Sequence, residues 1–371
     1  MVSNESVQGP LRGTLVLDFS TLLPGPYAAF LLAQLGARVI KVEPPSGDVM
    51  RSSDPDVYTV VNAGKESLAV DVKSPASVPV VDELLRRADV VLVSSLPGTL
   101  GRLGLGADRV HRVNPGVLYC HVLGWGGQLR ELPAHDLDVM AASGAVELGP
   151  ESAYPLALPV GDLATGNMAA LAIVAGLSGD RQPGTVLEVS MAGVLESWVS
   201  VGSGLRSVEG GPLDRQPRFG GYGIFRGSDG RRFSIGAFED RYWASLVELA
   251  GLEPSLAELA LTARRERAAE LNAYVEDAVC GQPAVEWVSR LQAAGVPCAL
   301  VASPREAPRS RNASGVVTAA PDGTISVGFP ATSLGEPLSP AAGLGEHTGP
   351  IARWLGLQDD LADLRPGAVI G

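Results

Sequence analysis

Short apolar runs alternate with segments of helical periodicity through the first half of the chain. Apolar runs predict strands at 14–19, 38–43, 67–72, 89–93, 117–122 and 186–190, and those at 14–19, 89–93 and 117–122 are predicted to be buried. Apolar residues spaced three and four apart predict helices at 27–35 and 78–87. Because consecutive strands joined by helices run parallel, this pattern predicts an α/β domain built on a parallel sheet.

The pattern changes after Gly204. Residues 1–204 predict one large domain, and residues 205–222, rich in Gly, Pro and Arg, predict a linker. Beyond the linker the sequence predicts a hairpin at 224–226 and 232–237, helices at 240–251, 263–280 and 283–294, and a strand at 296–301. These elements predict a smaller α+β domain over 223–315. Residues 316–371 are expected to form a return linker and a C-terminal helix at 349–355.

Composition and charge exclude several classes of protein. The 371-residue chain is 46% hydrophobic and 19% charged, which is typical of a globular protein. Its net charge of −12 argues against nucleic acid or an anionic membrane as a partner. No apolar run approaches the roughly 18 residues of a membrane span, and the first ten residues lack a signal-peptide core, so we expect a cytoplasmic protein. Three scattered cysteines predict reduced thiols, with neither a disulfide framework nor a metal site.

Two short segments carry the candidate chemistry. His135 stands beside Asp136 in a loop that follows a predicted strand, and ligands bind beyond the carboxyl ends of parallel strands. Asp162 stands where a helix begins, and free backbone N–H groups there are expected to stabilise its anionic form. An imidazole and a carboxylate suit two-base proton transfer, and a lone aspartate can also be a nucleophile. The alternative is that Asp162 is only a helix cap and His135 a core histidine.

Twelve short motifs along the chain, in this order, resemble those of the family III CoA-transferases (the CaiB/BaiF superfamily), the group that also contains the α-methylacyl-CoA racemases. They are GPLRG at 9–13, LGA at 35–37, KVEPPSGD at 41–48, NAGKES at 62–67, RLGLG at 102–106, NP at 114–115, HD at 135–136, GD at 161–162, IGAFE at 235–239, EW at 286–287, GVP at 295–297 and LGEHT at 344–348. The resemblance implies a Rossmann-like large domain formed by both chain ends, a smaller inserted domain and an interlocked homodimer.

The resemblance also implies roles for particular residues. Asp162 matches the catalytic carboxylate of the transferases, and His135 with Asp162 matches the two opposed bases of the racemases. Glu239 matches the acid that supports the histidine and, in an interlocked dimer, would come from the partner chain. Contacts with coenzyme A are implied for Lys65, Arg102, Pro26 and Asp136. Two segments depart from the family pattern: 163–166 after Asp162 is transferase-like, and 94–98 replaces an Asn-Phe-Arg-Pro-Gly loop of the CoA cleft.

Three functions stay open at this point. The first is inversion of the α-carbon of a 2-methylacyl-CoA by 1,1-proton transfer, with backbone N–H groups at the start of the helix after Asp162 stabilising the enolate oxygen. The second is transfer of CoA between carboxylic acids through a mixed anhydride on Asp162. The third is binding of acyl-CoA, or of another acyl thioester on a carrier, without catalysis. None needs a metal or organic cofactor besides the coenzyme A of the substrate, and the acyl group stays undefined.

Overall fold

A computed structural model describes residues 9–145, 158–179, 182–203, 219–303, 306, 316–319, 325–331, 335 and 338–357. The chain divides into two compact units. The first unit lies within Met1–Arg206 and Val316–Gly371, and the second lies within Ser207–Gly315.

Six parallel strands form the sheet of the first unit. They are β1 Leu15–Asp18, β2 Arg38–Glu43, β3 Glu66–Ala69, β4 Val90–Val93, β5 Leu118–Leu123 and β6 Val186–Ser190. Their order in the sheet is β3-β2-β1-β4-β5-β6, and every neighbouring pair is parallel. This is the strand order of a Rossmann fold, in which the chain reverses direction across the sheet between β1 and β4. The predicted parallel sheet is therefore confirmed.

Within the described part of residues 9–203, nine helices connect these strands or follow them. They are α1 Pro24–Gln34, α2 Met50–Ser53, α3 Pro55–Val61, α4 Val78–Arg87, α5 Pro97–Arg102, α6 Ala107–Val113, α7 Asp136–Ala142, α8 Val160–Ser178 and α9 Met191–Ser203, with short 3-10 turns at Pro75–Ser77 and Gly127–Leu129. Helix α1 begins three residues before its predicted start. Pro24 occupies the first helical position, where the missing N–H of proline leaves no hydrogen bond unmade.

The second unit contains an antiparallel sheet covered by helices. Its strands are β7 Tyr222–Arg226, β8 Arg232–Gly236 and β9 Cys298–Leu300, and its helices are α10 Asp240–Ala250, α11 Leu261–Glu266, α12 Ala268–Val279 and α13 Ala284–Ala293, with a 3-10 turn at Pro254–Glu258. The predicted hairpin is confirmed, and Gly230 takes the positive φ of its turn. Residues 205–218 of the predicted linker lie outside the described residues, and Tyr222 belongs to β7.

The prediction of a single helix at 263–280 is wrong. The chain forms α11 and α12, which are separated at Arg267. Arg264 of α11 is fully buried, and its guanidinium donates to the carbonyl oxygens of Ala237 and Phe238 at 2.8 and 2.7 Å. These bonds hold α11 against the end of β8, so the chain turns before α12 begins.

The C-terminal part of the chain returns to the first unit. It forms the antiparallel pair β10 Val317–Ala319 and β11 Ile325–Val327, and then α14 Thr348–Leu355. The side chain of Gln34 donates to the carbonyl oxygen of Val327 at 2.7 Å. Beside β3, the backbone N–H of His347 donates to the carbonyl oxygen of Ser67 at 3.0 Å. The C-terminal part therefore packs on the first unit and contributes to both of its core clusters, while β10 and β11 form a separate two-stranded sheet.

Both faces of the parallel sheet are covered, as this kind of sheet requires. One core cluster joins α1 and α8 to the face that carries Val16, and the other joins α4 and α14 to the face that carries Leu17. Neighbouring residues of one strand point to opposite faces, which explains why Val16 and Leu17 serve different clusters. Both side chains are completely buried.

Helix α8 corrects one expectation from the sequence. By length and composition it is apolar enough to cross a membrane. However, Ala164, Ala169 and Ile173 of this helix are buried in the cluster that it shares with α1. A helix that packs one face into the core of a large domain can have the same length and composition. We therefore interpret α8 as a core helix.

Candidate active site

Asp162 lies in the first turn of α8, and its backbone is tied to α7. The backbone N–H of Asp162 donates to Oδ1 of Asp136 at 3.0 Å. Gly161 makes this approach possible, because a Cβ atom at that position would lie 2.7 Å from the same oxygen and 2.9 Å from the sulfur of Met191. Two predicted site residues, Asp136 and Asp162, are thus brought together.

His135 immediately precedes α7, and its side chain is exposed. Its backbone N–H donates to Oδ2 of Asp138 at 3.1 Å, and its carbonyl oxygen accepts from the N–H groups of Asp138 and Val139. These bonds fix the backbone of His135 at the start of the helix. The exposed side chain excludes the alternative of a core histidine. Because His135 directly precedes Asp136, its backbone lies close to the Asp136–Asp162 hydrogen bond.

The pKa of Asp162 differs from the expectation that the helix start stabilises the anionic form. Burial, followed by the negative charge of Asp136, raises the pKa of Asp162 to about 7. A helix start by itself favours the anionic carboxylate. Here the desolvation of the side chain outweighs that effect, so the neutral acid and the carboxylate are both populated near neutral pH.

The backbone N–H groups of Asp162 and Leu163 are not available for the role expected of the helix start, which was to stabilise an enolate oxygen. The N–H of Asp162 is donated to Asp136, and the N–H of Leu163 is donated to the carbonyl oxygen of Pro159 at 3.0 Å. Both donors already have acceptors within the protein. They cannot stabilise an enolate oxygen in this arrangement.

Lys65 and Pro26, predicted to contact CoA, contact each other in the core of the first unit. The Lys65 ammonium donates to Asp18 Oδ2 and to the Pro26 carbonyl oxygen, both at 2.8 Å, and to Asn62 Oδ1 at 2.9 Å. An ammonium has three hydrogens, so all are used. Burial lowers the pKa of Lys65 to about 8, although the Asp18 carboxylate opposes this effect. A direct bond from Lys65 to a CoA phosphate would require the loss of one of these partners.

Arg102, the other basic residue predicted to contact CoA, is exposed at the end of α5. Its Nη2 donates to Thr99 Oγ1 at 2.9 Å within the same helix. The loop that leads to α5 follows β4, and Ser94 Oγ in that loop accepts from the backbone N–H of Thr21 at 3.0 Å. This bond ties together the loops after β1 and β4, which flank the point where ligands bind in such sheets.

The loop after β1 carries an unusual backbone conformation. Leu22 has a φ of 64°, and it is the non-glycine residue with positive φ among the described residues. This conformation is strained for a branched side chain and is found at ligand-binding loops more often than elsewhere. The sequence contains no signal for it, because leucine favours negative φ.

Glu239 belongs to the second unit. It is exposed and immediately precedes α10, where its carbonyl oxygen accepts from the N–H groups of Tyr242 and Trp243, both at 3.0 Å. Arg264 holds the chain on both sides of it, through the carbonyl oxygen of Phe238 and, at 2.7 Å, the carboxylate of Asp240. The backbone at Glu239 is therefore rigidly supported within its own unit.

A buried network of charges at the carboxyl ends of β1 and β2 was not predicted. Besides the Lys65–Asp18 pair, Lys41 Nζ lies 3.0 Å from Asp48 Oδ2, with both side chains almost fully buried. The segment RVIKVE at 38–43 contained a signal, since a lysine in the middle of a buried strand needs a partner. Among the described residues, no three His, Cys, Asp or Glu side chains are grouped so that they could hold a metal ion.

Comparison with known proteins identifies the family. A family model described as CoA-transferase family III matches residues 11–348. The chain belongs to CoA-transferase family III. The resemblance seen in the sequence motifs is thus confirmed over nearly the whole chain.

Relatives in this family have different names. Acetyl-CoA:oxalate CoA-transferase of Acetobacter aceti is 29% identical over 319 residues, which is 78% of this chain and 80% of that protein. Alpha-methylacyl-CoA racemase of Homo sapiens is 32% identical over 260 residues, 66% of this chain and 65% of that protein. The orthorhombic crystal structure of Rv3272 from Mycobacterium tuberculosis aligns with a TM-score of 0.81 at 29% identity, covering 92% of this chain and 99% of that one. Family III membership alone therefore leaves both reactions open.

Proposed function

We propose that the protein is an acyl-CoA racemase or epimerase that inverts the α-carbon of a 2-methylacyl thioester by 1,1-proton transfer. A thioester carbonyl acidifies the α C–H bond, and inversion needs one group to remove a proton and another to return it on the opposite face. The observation that carries the proposal is the 3.0 Å hydrogen bond from the Asp162 backbone to Asp136, which places Asp162 beside the segment that holds His135. Burial and the neighbouring Asp136 also raise the pKa of Asp162 to about 7. A group with this pKa both gives and accepts a proton near neutral pH.

His135 is proposed as the second acid–base group. An imidazole can both remove and return a proton in catalysis. Its exposed position gives a substrate access to the ring, and its backbone is joined to α7 beside the Asp136–Asp162 bond. Each of the two groups would serve one face of the α-carbon.

Exchange with solvent tests this proposal. A single enantiomer of a 2-methylacyl-CoA, incubated with the protein in deuterated water, should gain deuterium at the α-carbon and lose optical purity. The variants Asp162→Asn and His135→Gln should each slow inversion by about 10²- to 10⁴-fold. Asp108→Asn, an exposed carboxylate on α6, is the matched control and should keep full activity. Absence of exchange with short, branched and long acyl chains alike would contradict the proposal.

The second candidate is a CoA transfer, favoured by the relative named acetyl-CoA:oxalate CoA-transferase, which aligns over more of this chain than the racemase does. The Asp162 carboxylate would attack the thioester carbonyl, the C–S bond would break, and CoA would leave as the thiolate, forming a mixed anhydride on Asp162. Hydroxylamine would convert that anhydride to a hydroxamate, visible by mass spectrometry of the Asp162 peptide. A modified Asp162 without α-exchange would replace the first proposal by this one. Tight acyl-CoA binding with neither reaction would indicate a non-catalytic protein.

We also propose that two chains form an interlocked homodimer in which Glu239 of one chain supports His135 of the other, as the resemblance implies. A carboxylate beside an imidazole orients the ring and stabilises its charged form. The exposed side chain of Glu239 and its supported backbone agree with such a role. Sedimentation should give twice the chain mass, and Glu239→Gln should shift the acidic limb of the pH–rate profile to lower pH. A monomer with full activity would contradict this part.

A further inference from the structure

The acidic residue next to His135 has a contact that the implied role in binding CoA does not explain. Oδ1 of Asp136 accepts the backbone N–H of Asp162 at 3.0 Å, and this bond links the start of α7 to the first turn of α8. Gly161 leaves no space for a side chain between them. The contact is thus a close fit of three residues from two helices.

We propose that Asp136 is a positioning residue for Asp162: its carboxylate holds the backbone at the start of α8 and disfavours a negative charge on the Asp162 side chain. The inference rests on the proposed function, because a role for the charge of Asp162 presupposes that Asp162 takes part in the reaction. It gives Asp136 a place in proton transfer instead of in the binding of the CoA moiety.

The direction of the effect follows from the sign of the charges. Two carboxylates close together resist simultaneous ionisation, so one of them holds its proton to a higher pH. Asp162 is already partly desolvated, and in such surroundings a neighbouring charge acts strongly. The charge of Asp136 raises the pKa of Asp162 in addition to the effect of burial.

Other ionisable groups near α8 do not supply this effect. On the elements packed against α8, besides Asp136, these groups are Tyr27 of α1, His135 and Asp138 at α7, Glu196 of α9, Glu188 of β6, and Tyr119, Cys120 and His121 of β5. Asp136 is the residue among the described ones whose charge raises the pKa of Asp162. A substitution that removes only the charge of Asp136 should therefore reveal how much that charge contributes to the pKa of Asp162.

The variant Asp136→Asn provides that substitution, because an amide oxygen can still accept the Asp162 N–H. We would label carboxyl groups in the full-length protein with a water-soluble carbodiimide and an amine at a series of pH values, and follow the Asp162 peptide by mass spectrometry. Labelling of this kind requires the protonated carboxyl, so its midpoint reports the pKa of Asp162 without any substrate. We expect the midpoint to move to lower pH in Asp136→Asn and to stay above the ordinary aspartate range, because burial remains.

Asp138→Asn is the matched control, since it removes the same charge from the same helix, and its midpoint should equal that of the wild type. Asp136→Ala, which also removes the hydrogen bond, should lower the midpoint and additionally reduce protection of the Asp162 amide from hydrogen exchange. An unchanged midpoint in Asp136→Asn, in a variant that melts as the wild type does, would overturn the inference. Loss of the proposed racemase activity would leave the labelling result intact, so the two ideas fail separately.

Discussion

The ammonium group of Lys65 lies 2.8 Å from the carboxylate of Asp18, and both side chains are almost completely buried. The same ammonium donates to the carbonyl oxygen of Pro26 in the first turn of α1. The ion pair therefore fixes the loop after β1 and the start of α1 from inside the domain. In sheets of this strand order ligands bind beyond the carboxyl ends of β1 and β4, and this loop follows β1.

We expect Lys65→Met to lower the free energy of unfolding by about 3–5 kcal/mol, because it leaves the carboxylate of Asp18 buried without its nearest positive partner. Urea unfolding followed by circular dichroism measures this loss. Lys73→Met makes the same replacement at an exposed position and should change stability by less than about 0.5 kcal/mol. Equal effects of the two substitutions would mean that the buried pair is not a major source of stability.

Asp162 should make the stability of the protein depend on pH in a definite direction. Its pKa is about 7 in the folded protein, and the ordinary value is 3.8. Between these values the folded chain binds more protons than the unfolded chain, so stability falls as pH rises. The stability of the wild type relative to Asp162→Asn should thus decrease from about pH 4 to about pH 7 and become constant above about pH 8. Urea unfolding at a series of pH values measures the difference, and a flat difference across that range would contradict it.

Gly161→Ala should disturb the contact between α7 and α8. The new methyl group would lie 2.7 Å from Oδ1 of Asp136, so one helix must shift, and we expect a loss of stability of about 1–3 kcal/mol together with a loss of turnover. Gly101→Ala, inside α5, is the control. Apart from its chain neighbours and the backbone of its own helix, no heavy atom lies within 4 Å of the place a Cβ would take, and alanine there should stabilise by about 0.4–1 kcal/mol. Thermal melting and the exchange assay measure both variants. A Gly161→Ala protein as stable and active as the wild type would show that the two helices adjust without strain.

Arg264→Leu should destabilise the second unit by about 3 kcal/mol, since the buried carbonyl oxygen of Ala237 and the partly buried one of Phe238 lose a charged donor. Because those bonds hold the segment on either side of Glu239, amide hydrogen exchange at 237–240 should become faster in this variant. Arg265→Leu changes the neighbouring exposed residue of the same helix and should leave the exchange of that segment unaltered. If the amides at 237–240 exchange no faster in Arg264→Leu, the sheet alone keeps this segment rigid.

Part of the fold could be predicted because local sequence determined it. The parallel strands β1, β2, β4 and β5 are short apolar runs between helical segments, and a parallel strand buried on both faces requires that composition. The hairpin of β7 and β8 followed from the Asp229-Gly230 turn in the same way. By contrast, the break between α11 and α12 depends on where the Arg264 side chain ends, and periodicity along one helix contains no information on that contact.

The sequence by itself determined which residues are chemically suited to the site: it singled out His135, Asp136 and Asp162, and the motifs around them indicated the family. Only the tertiary structure decided the state and surroundings of these residues. The pKa of Asp162 depends on burial and on a carboxylate from another helix, and these outweigh the helix start that is visible in the sequence. Likewise, a lysine looks the same in sequence whether it binds a phosphate or a buried aspartate. The fold placed Lys65, one residue before β3, against Asp18 at the end of β1 and Pro26 of α1, so its side chain points inward. Charge interactions act through space and are strengthened by desolvation, so residues distant along the chain set them.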